Sequence, residues 1–288
     1  RTGAGAGSSL DPGGLILATG GALGLVWALI RANGVGWGSP EIVVTLAAGA
    51  LLTGAFIAWE LRAASPMVPL HLFRSRAFAA GNAAVFAMFG MLISLVFFMA
   101  QFLQTGLGYG PLGAGLRLLP GWATLTLIAP FAGMLIGRVG ARPLVAGGLA
   151  LNAAGLAWTA VIARTGLPYW QLVVPLMVAG SGVSLAIPAA ASAVMGSVPP
   201  PMIGRASGTY NTLRQLGGVF GLAICAAVFA ARGGYGSAAA FTNGVGPALG
   251  ACAGLSFAGA VAGLFLPGRP AAAAPVATGG DRALESVS

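Results

Sequence analysis

Long apolar runs punctuated by single charges set the organisation of this chain. A helix crosses a bilayer when it presents roughly 20 apolar residues at 1.5 Å rise each. Asp11 and Arg31 bracket a first such run, and Glu41 and Glu60 bracket a second. The uncharged stretch between Arg76 and Arg117 holds a third over 77–104, closed by the turn Gly106-Leu107-Gly108-Tyr109-Gly110-Pro111. A fourth ends at Arg138, and a fifth runs from Arg142 to Arg164. The sixth occupies 169–196 and stops at Pro199-Pro200-Pro201, which cannot continue a helix. The seventh covers 203–231 and the eighth 247–266. The pattern predicts an all-α membrane protein of eight spans.

Five segments follow. Residues 1–11 precede the spans, 12–63 form a two-helix hairpin, and 64–76 form a loop with Pro66 and Pro69. Residues 77–267 form a six-helix bundle, and 268–288 an Ala/Pro/Gly-rich tail expected to be disordered. The bundle divides into two triplets, each opening with a long uncharged stretch, which hints at the inverted repeats of secondary transporters. With no initiator methionine and no signal peptide, the chain reads as starting in mid-protein.

Composition agrees with the spans. The chain has 288 residues, 57% of them hydrophobic and 7% charged, with mean hydropathy +0.91. A soluble domain carries roughly 25% charged residues, so the surplus apolar surface here faces lipid. The net charge of +9 does not make a nucleic-acid binder. Its arginines stand singly between spans instead of clustering on a polar face with stacking aromatics. Lysine is absent.

Catalytic chemistry is not visible. Cys225 and Cys252 sit inside apolar stretches as small packing residues, with no metal or redox spacing. The sole histidine, His71, falls near a predicted membrane edge. No HExxH, GxSxG or Walker loop occurs, and no acid lies within a predicted span. The reading is a non-enzyme with no metal and no cofactor.

Orientation comes from the arginines. One side collects Arg1, Arg62, Arg74, Arg76, Arg138, Arg142, Arg205, Arg269 and Arg282, nine in all. The other has four, Arg31, Arg117, Arg164 and Arg232, with Arg214 inside a span. The positive-inside rule then makes both termini cytoplasmic. Trp37, Tyr109, Tyr169, Trp170 and Tyr235 fall at the opposite, outer interface, where amphipathic rings settle.

Several motifs carry a resemblance. The segment Gly133-Met134-Leu135-Ile136-Gly137-Arg138-Val139-Gly140-Ala141-Arg142-Pro143 is similar to the loop signature of the major facilitator superfamily. Gly137 stands where that pattern has aspartate. The stretches Gly180-Ser181-Gly182 with Pro188, Gly204-Arg205-Ala206-Ser207-Gly208, and Asn211-Thr212-Leu213-Arg214-Gln215-Leu216-Gly217-Gly218 resemble the fourteen-span drug:proton antiporters of the EmrB/QacA type. Residues 111–120 and 66–82 are also similar to that family. The resemblance implies a partial major facilitator fold, with two central linker helices followed by the C-terminal six-helix bundle. It implies a plasma-membrane exporter of hydrophobic or amphipathic small molecules, a proton as coupling ion, and a missing N-terminal half as partner.

Candidate residues follow from polarity inside apolar helices. Ser207, Asn211, Arg214, Gly218, Gly221 and Cys225 recur at alternating steps of four and three, forming one helical stripe. An arginine in hydrocarbon is costly unless it faces water, pairs or snorkels. Asn211, Arg214 and Gln215 are therefore cavity candidates, as are Gln101 and Gln104, whose amides need partners in hydrocarbon. The Phe/Met-rich third span suits varied apolar ligands, although such residues also serve as core or lipid-facing surface. Gly133, Arg138, Gly140 and Arg142 are gating-loop candidates. Gly217, Gly218 and Gly221 suit close helix packing. Pro120, Pro130, Pro175 and Pro188 are expected kink sites. The alternatives are a dedicated exporter of one endogenous metabolite, or a non-transporting membrane scaffold or truncated remnant.

Overall fold

The computed structural model describes residues 11–63 and 70–268. The segment 1–10, residues 64–69 of the 64–76 loop and the tail from 269 lie outside the described residues. Among the described residues, eight helices are long and apolar enough to cross a membrane: α1 (Pro12–Val35), α2 (Pro40–Glu60), α3 (Arg76–Gln101), α4 (Pro111–Val139), α5 (Ala141–Ile162), α6 (Trp170–Met195), α7 (Ile203–Arg232) and α8 (Ala238–Leu264). At 21 to 30 residues they measure about 32 to 45 Å, enough for a hydrocarbon core of about 30 Å with some tilt. The chain is a multi-pass, all-α membrane protein.

Local chemistry sets the ends. Asp11 caps α1 by accepting from the Gly14 N–H, and Ser39 and Ser237 cap α2 and α8 in the same way. Proline occupies the first position of α1, α2 and α4, where its missing N–H costs nothing. Gly140 joins α4 to α5 as a single residue at φ +85°, a conformation that glycine reaches without strain. Two boundaries differ from the sequence expectation. Span eight begins at Ala238 instead of 247, because Pro247 is accommodated inside α8. Span three ends in a π-helical turn, Phe102–Gly106, so that Leu107 N–H bonds back to the Phe102 carbonyl.

The six-helix bundle repeats itself. α3 packs on α7 and α8, while α6 packs on α4 and α5, and α5 pairs with α8. Exchanging the triplets α3–α5 and α6–α8 carries α3·α7 onto α6·α4, and α3·α8 onto α6·α5. It carries α7·α8 onto α4·α5 and leaves α3·α6 and α5·α8 in place. This is the packing expected of two repeats.

Glycines set the closest crossings. A Cβ on Gly217 or Gly221 of α7 would collide with the backbone of Phe86 or Gly90 on α3. A Cβ on Gly182 of α6 would collide with the Gly148 carbonyl of α5. Without a hydrophobic drive between helices in lipid, such close packing supplies the cohesion.

The α1–α2 hairpin stands apart, resting on the bundle mainly through α1 against α7. Its two ends are fastened alike. Trp27 Nε1 and Arg31 Nε donate to Glu41 at one end, at 3.1 and 2.8 Å. Trp59 Nε1 donates to Asp11 at the other, at 2.9 Å. Glu60, expected only to mark a span end, is 3% exposed beside α1. α4 is the least covered bundle helix. Among its described residues only Ala114, Thr124 and Ala132 are buried, and Leu112, Leu127, Phe131 and Met134 lie open.

Candidate functional site

An apolar recess opens between α3, α4 and α6. Leu92, Leu95 and Met99 of α3 form one wall, Leu118, Trp122 and Leu125 of α4 the second, and Leu176 and Val183 of α6 the third. The recess exists because α3 and α4 scarcely touch, while both pack on α6. Gly180 of α6 meets the Gly121 carbonyl and the Thr124 hydroxyl on α4. Ser184 Oγ donates to the Thr124 carbonyl at 3.1 Å, fixing that crossing.

One polar side chain reaches this recess from behind. Asn152 of α5 is fully buried, and its Nδ2 donates to the Ala179 carbonyl of α6 at 2.8 Å. That bond fixes the amide, since only the nitrogen donates. The Oδ1 is left buried with no hydrogen-bond partner. An unmet buried acceptor costs about 1–3 kcal/mol, so the Asn152 Oδ1 is an uncompensated polar group behind an otherwise apolar recess.

The sequence-selected residues divide among other places. Arg214 is half-buried on α7, its guanidinium 5.1 Å from the centre of the Phe89 ring on α3. Its Nε is buried without a hydrogen-bond partner. Gln215 turns to a separate groove between α1, α3 and α7, lined also by Ile30, Phe97 and Val219. Asn211 is exposed. Gln104 is also exposed and satisfies its amide locally, donating to the Ala100 carbonyl at 3.2 Å, while Gln101 is half-buried. The structure therefore does not gather these residues into one site. Gly217, Gly218 and Gly221 are buried where α7 crosses α3. Gly133, Arg138 and Arg142 are exposed at the α4–α5 turn around the buried Gly140. Among the described residues, no group of three or more His, Cys, Asp or Glu is placed to hold a metal ion.

A second polar assembly lies at the opposite end of α4. Arg117 stacks 3.6 Å from the Tyr109 ring centre and 5.3 Å from that of Tyr169. Tyr169 Oη donates to the Arg117 carbonyl at 2.9 Å, and Arg117 Nη1 donates to the Gly113 carbonyl at 3.1 Å. The α3–α4 and α5–α6 turns are thereby latched to α4. Burial pushes the Tyr169 phenol above its ordinary pKa, with Arg117 pulling the other way.

Sequence reasoning passed over Asn152, Trp122 and the Arg117 latch. Asn152 carried a usable signal, as a lone amide in the apolar run between Arg142 and Arg164. The argument that an amide in hydrocarbon needs a partner applies to it more strongly than to Gln104.

The sequence matches the Major Facilitator Superfamily over residues 13–222. It is 33% identical to multidrug resistance protein Stp of Mycobacterium tuberculosis over 207 residues, covering 72% of this chain and 38% of that protein. It is 32% identical to the tetracenomycin C resistance and export protein of Streptomyces glaucescens over 225 residues, 78% of this chain and 41% of that protein. Lincomycin resistance protein LmrB of Listeria monocytogenes is 30% identical over 217 residues, 75% of this chain and 46% of that protein. The chain spans less than half the length of these curated relatives. With a match over most of its length and a bundle built from two like triplets, the chain belongs to the major facilitator superfamily.

Proposed function

We propose that this chain is the C-terminal portion of a proton-coupled exporter of hydrophobic or amphipathic small molecules, and that its recess between α3, α4 and α6 takes the substrate. The observation that carries the reading is the recess itself: apolar walls, an indole and one unmet acceptor. Ligand sites are mostly apolar with a few placed polar groups. The relatives are named for multidrug, tetracenomycin C and lincomycin resistance, which supports a drug-like substrate. Names such as tetracenomycin C export and cephamycin export equally support a dedicated exporter of one metabolite.

Coupling belongs to the other half of the transporter. Among the described residues the acids Asp11, Glu41 and Glu60 stand at helix ends, and none lies mid-span. A proton carrier in a membrane is normally an acid or histidine facing a cavity. In this reading it sits on an N-terminal bundle, which docks against the open apolar face of α4. Termini of this segment lie in the cytoplasm and the protein in the plasma membrane. The test is efflux of a fluorescent amphipathic dye by cells carrying the complete transporter. Asn152→Leu should lower efflux at least tenfold with membrane abundance near wild type. Arg214→Ala should also lower efflux at equal abundance. Unchanged efflux in Asn152→Leu places the substrate elsewhere.

A further inference from the structure

Cys225 of α7 and Cys252 of α8 are both fully buried, and their sulfurs stand 3.5 Å apart. The sequence spacing, 27 residues across two helices, gave no sign of the meeting. Three helices enclose the pair. Ser94 of α3 lies beside Cys225, its own hydroxyl held by the Gly90 carbonyl at 2.6 Å. One turn along α7, Gly221 is pressed against Gly90, so the backbone bearing Cys225 has little room to drift. Packing alone calls for a small side chain at each site, and alanine would serve. It does not call for two thiols facing each other.

We propose that Cys225 and Cys252 form an intramembrane dithiol that closes to a disulfide between α7 and α8 when it meets a small neutral peroxide. A disulfide has S–S of about 2.05 Å, so sulfurs already 3.5 Å apart have a short gap to close. The chemistry is balanced by the peroxide. One thiol sulfur takes an oxygen from hydrogen peroxide, giving a sulfenic acid and one water as the O–O bond breaks. The second thiol attacks that sulfur, the S–S bond forms, and the hydroxyl leaves with a proton as a second water. Two thiols are oxidised and one peroxide is reduced. Hydrogen peroxide is the fitting oxidant class because the pair is sealed from water, and a charged oxidant would lose its hydration on entry. The bond ties the helix that carries Arg214, and on which the α1–α2 hairpin rests, to the helix that pairs with α5. It restricts movement of α7 inside the bundle, and a dithiol reductant reverses it.

The test uses the full chain in phosphatidylcholine nanodiscs. Samples are exposed to hydrogen peroxide, unfolded in N-ethylmaleimide and digested with trypsin. Cleavage at Arg214, Arg232 and Arg282 puts the two cysteines on separate peptides, 215–232 and 233–282, since Arg269 precedes Pro270 and is not cut. Mass spectrometry should find these peptides linked, with the linkage abolished by dithiothreitol. The double variant Cys252→Ala with Ala253→Cys moves one thiol around α8 and should link at least tenfold more slowly. Peptides that stay separate and doubly alkylated overturn the proposal. So do thiols that only gain oxygen atoms, crosslinks confined to chain dimers, or equal linking by the shifted pair.

Discussion

Asn152 and Gln104 carry the same amide, and their surroundings give them opposite roles. Gln104 is exposed near a helix end and bonds its own backbone, so its amide is spent. Asn152 is enclosed, bonds a neighbouring helix through its nitrogen, and keeps an oxygen free. Arg117 and Arg214 differ in the same way. Arg117 is stacked between two tyrosines at a helix end, while Arg214 rests on a single phenylalanine face within α7. Tyr169 makes the latch at Arg117 titratable. Its proton is held more tightly in the folded chain than in the unfolded one. Its contribution is therefore complete below the ordinary tyrosine value of about 10 and is lost as pH rises through the elevated value. The melting temperature of the detergent-solubilised chain should fall more steeply above about pH 10 in wild type than in Tyr169→Phe. Parallel curves would mean that the phenol does not contribute to the latch.

At the scale of elements, the helices were legible because lipid demands long apolar runs and leaves charges, Arg214 apart, near their ends. The contacts between them were not. Glycine is abundant throughout, and although Gly217, Gly218 and Gly221 were legible as packing residues, the helix they meet was not. Gly221 is pressed against the α3 backbone, whereas Gly250 of α8 has nothing near a would-be Cβ. Gly221→Val should part α3 from α7. Overpacking a tight site costs about 1–3 kcal/mol, and backbone-to-backbone contact puts this site at the upper end. Gly250→Val should be near neutral. Monodispersity and melting temperature in detergent compare the two variants, and equal behaviour would contradict the packing account. The charges that delimited α1 and α2 in the sequence prove to be partners as well. Asp11 and Glu41 each hold a tryptophan of the adjoining helix, a pairing that needed the hairpin geometry to be seen.

For the whole molecule, the fold and superfamily followed from runs and motifs, while the candidate recess did not. Its walls come from two consecutive helices and a third from the other triplet, and its buried amide from a fourth. The proposed orientation rests on arginine distribution and is testable directly. In a background lacking Cys225 and Cys252, cysteines at Trp37 and Gly236 should react with an impermeant thiol reagent added outside cells. Cysteines at His71 and Arg142 should react only after permeabilisation, and the reverse pattern would invert the topology. The central claim is that this chain supplies a substrate-binding bundle to a transporter whose proton coupling lies elsewhere. It is tested most directly in proteoliposomes with an imposed pH gradient and a fluorescent cationic dye. The complete transporter should accumulate dye, lose it on adding a protonophore, and lose it equally on Asn152→Leu. This chain alone should accumulate none, and gradient-driven accumulation by it would contradict the account.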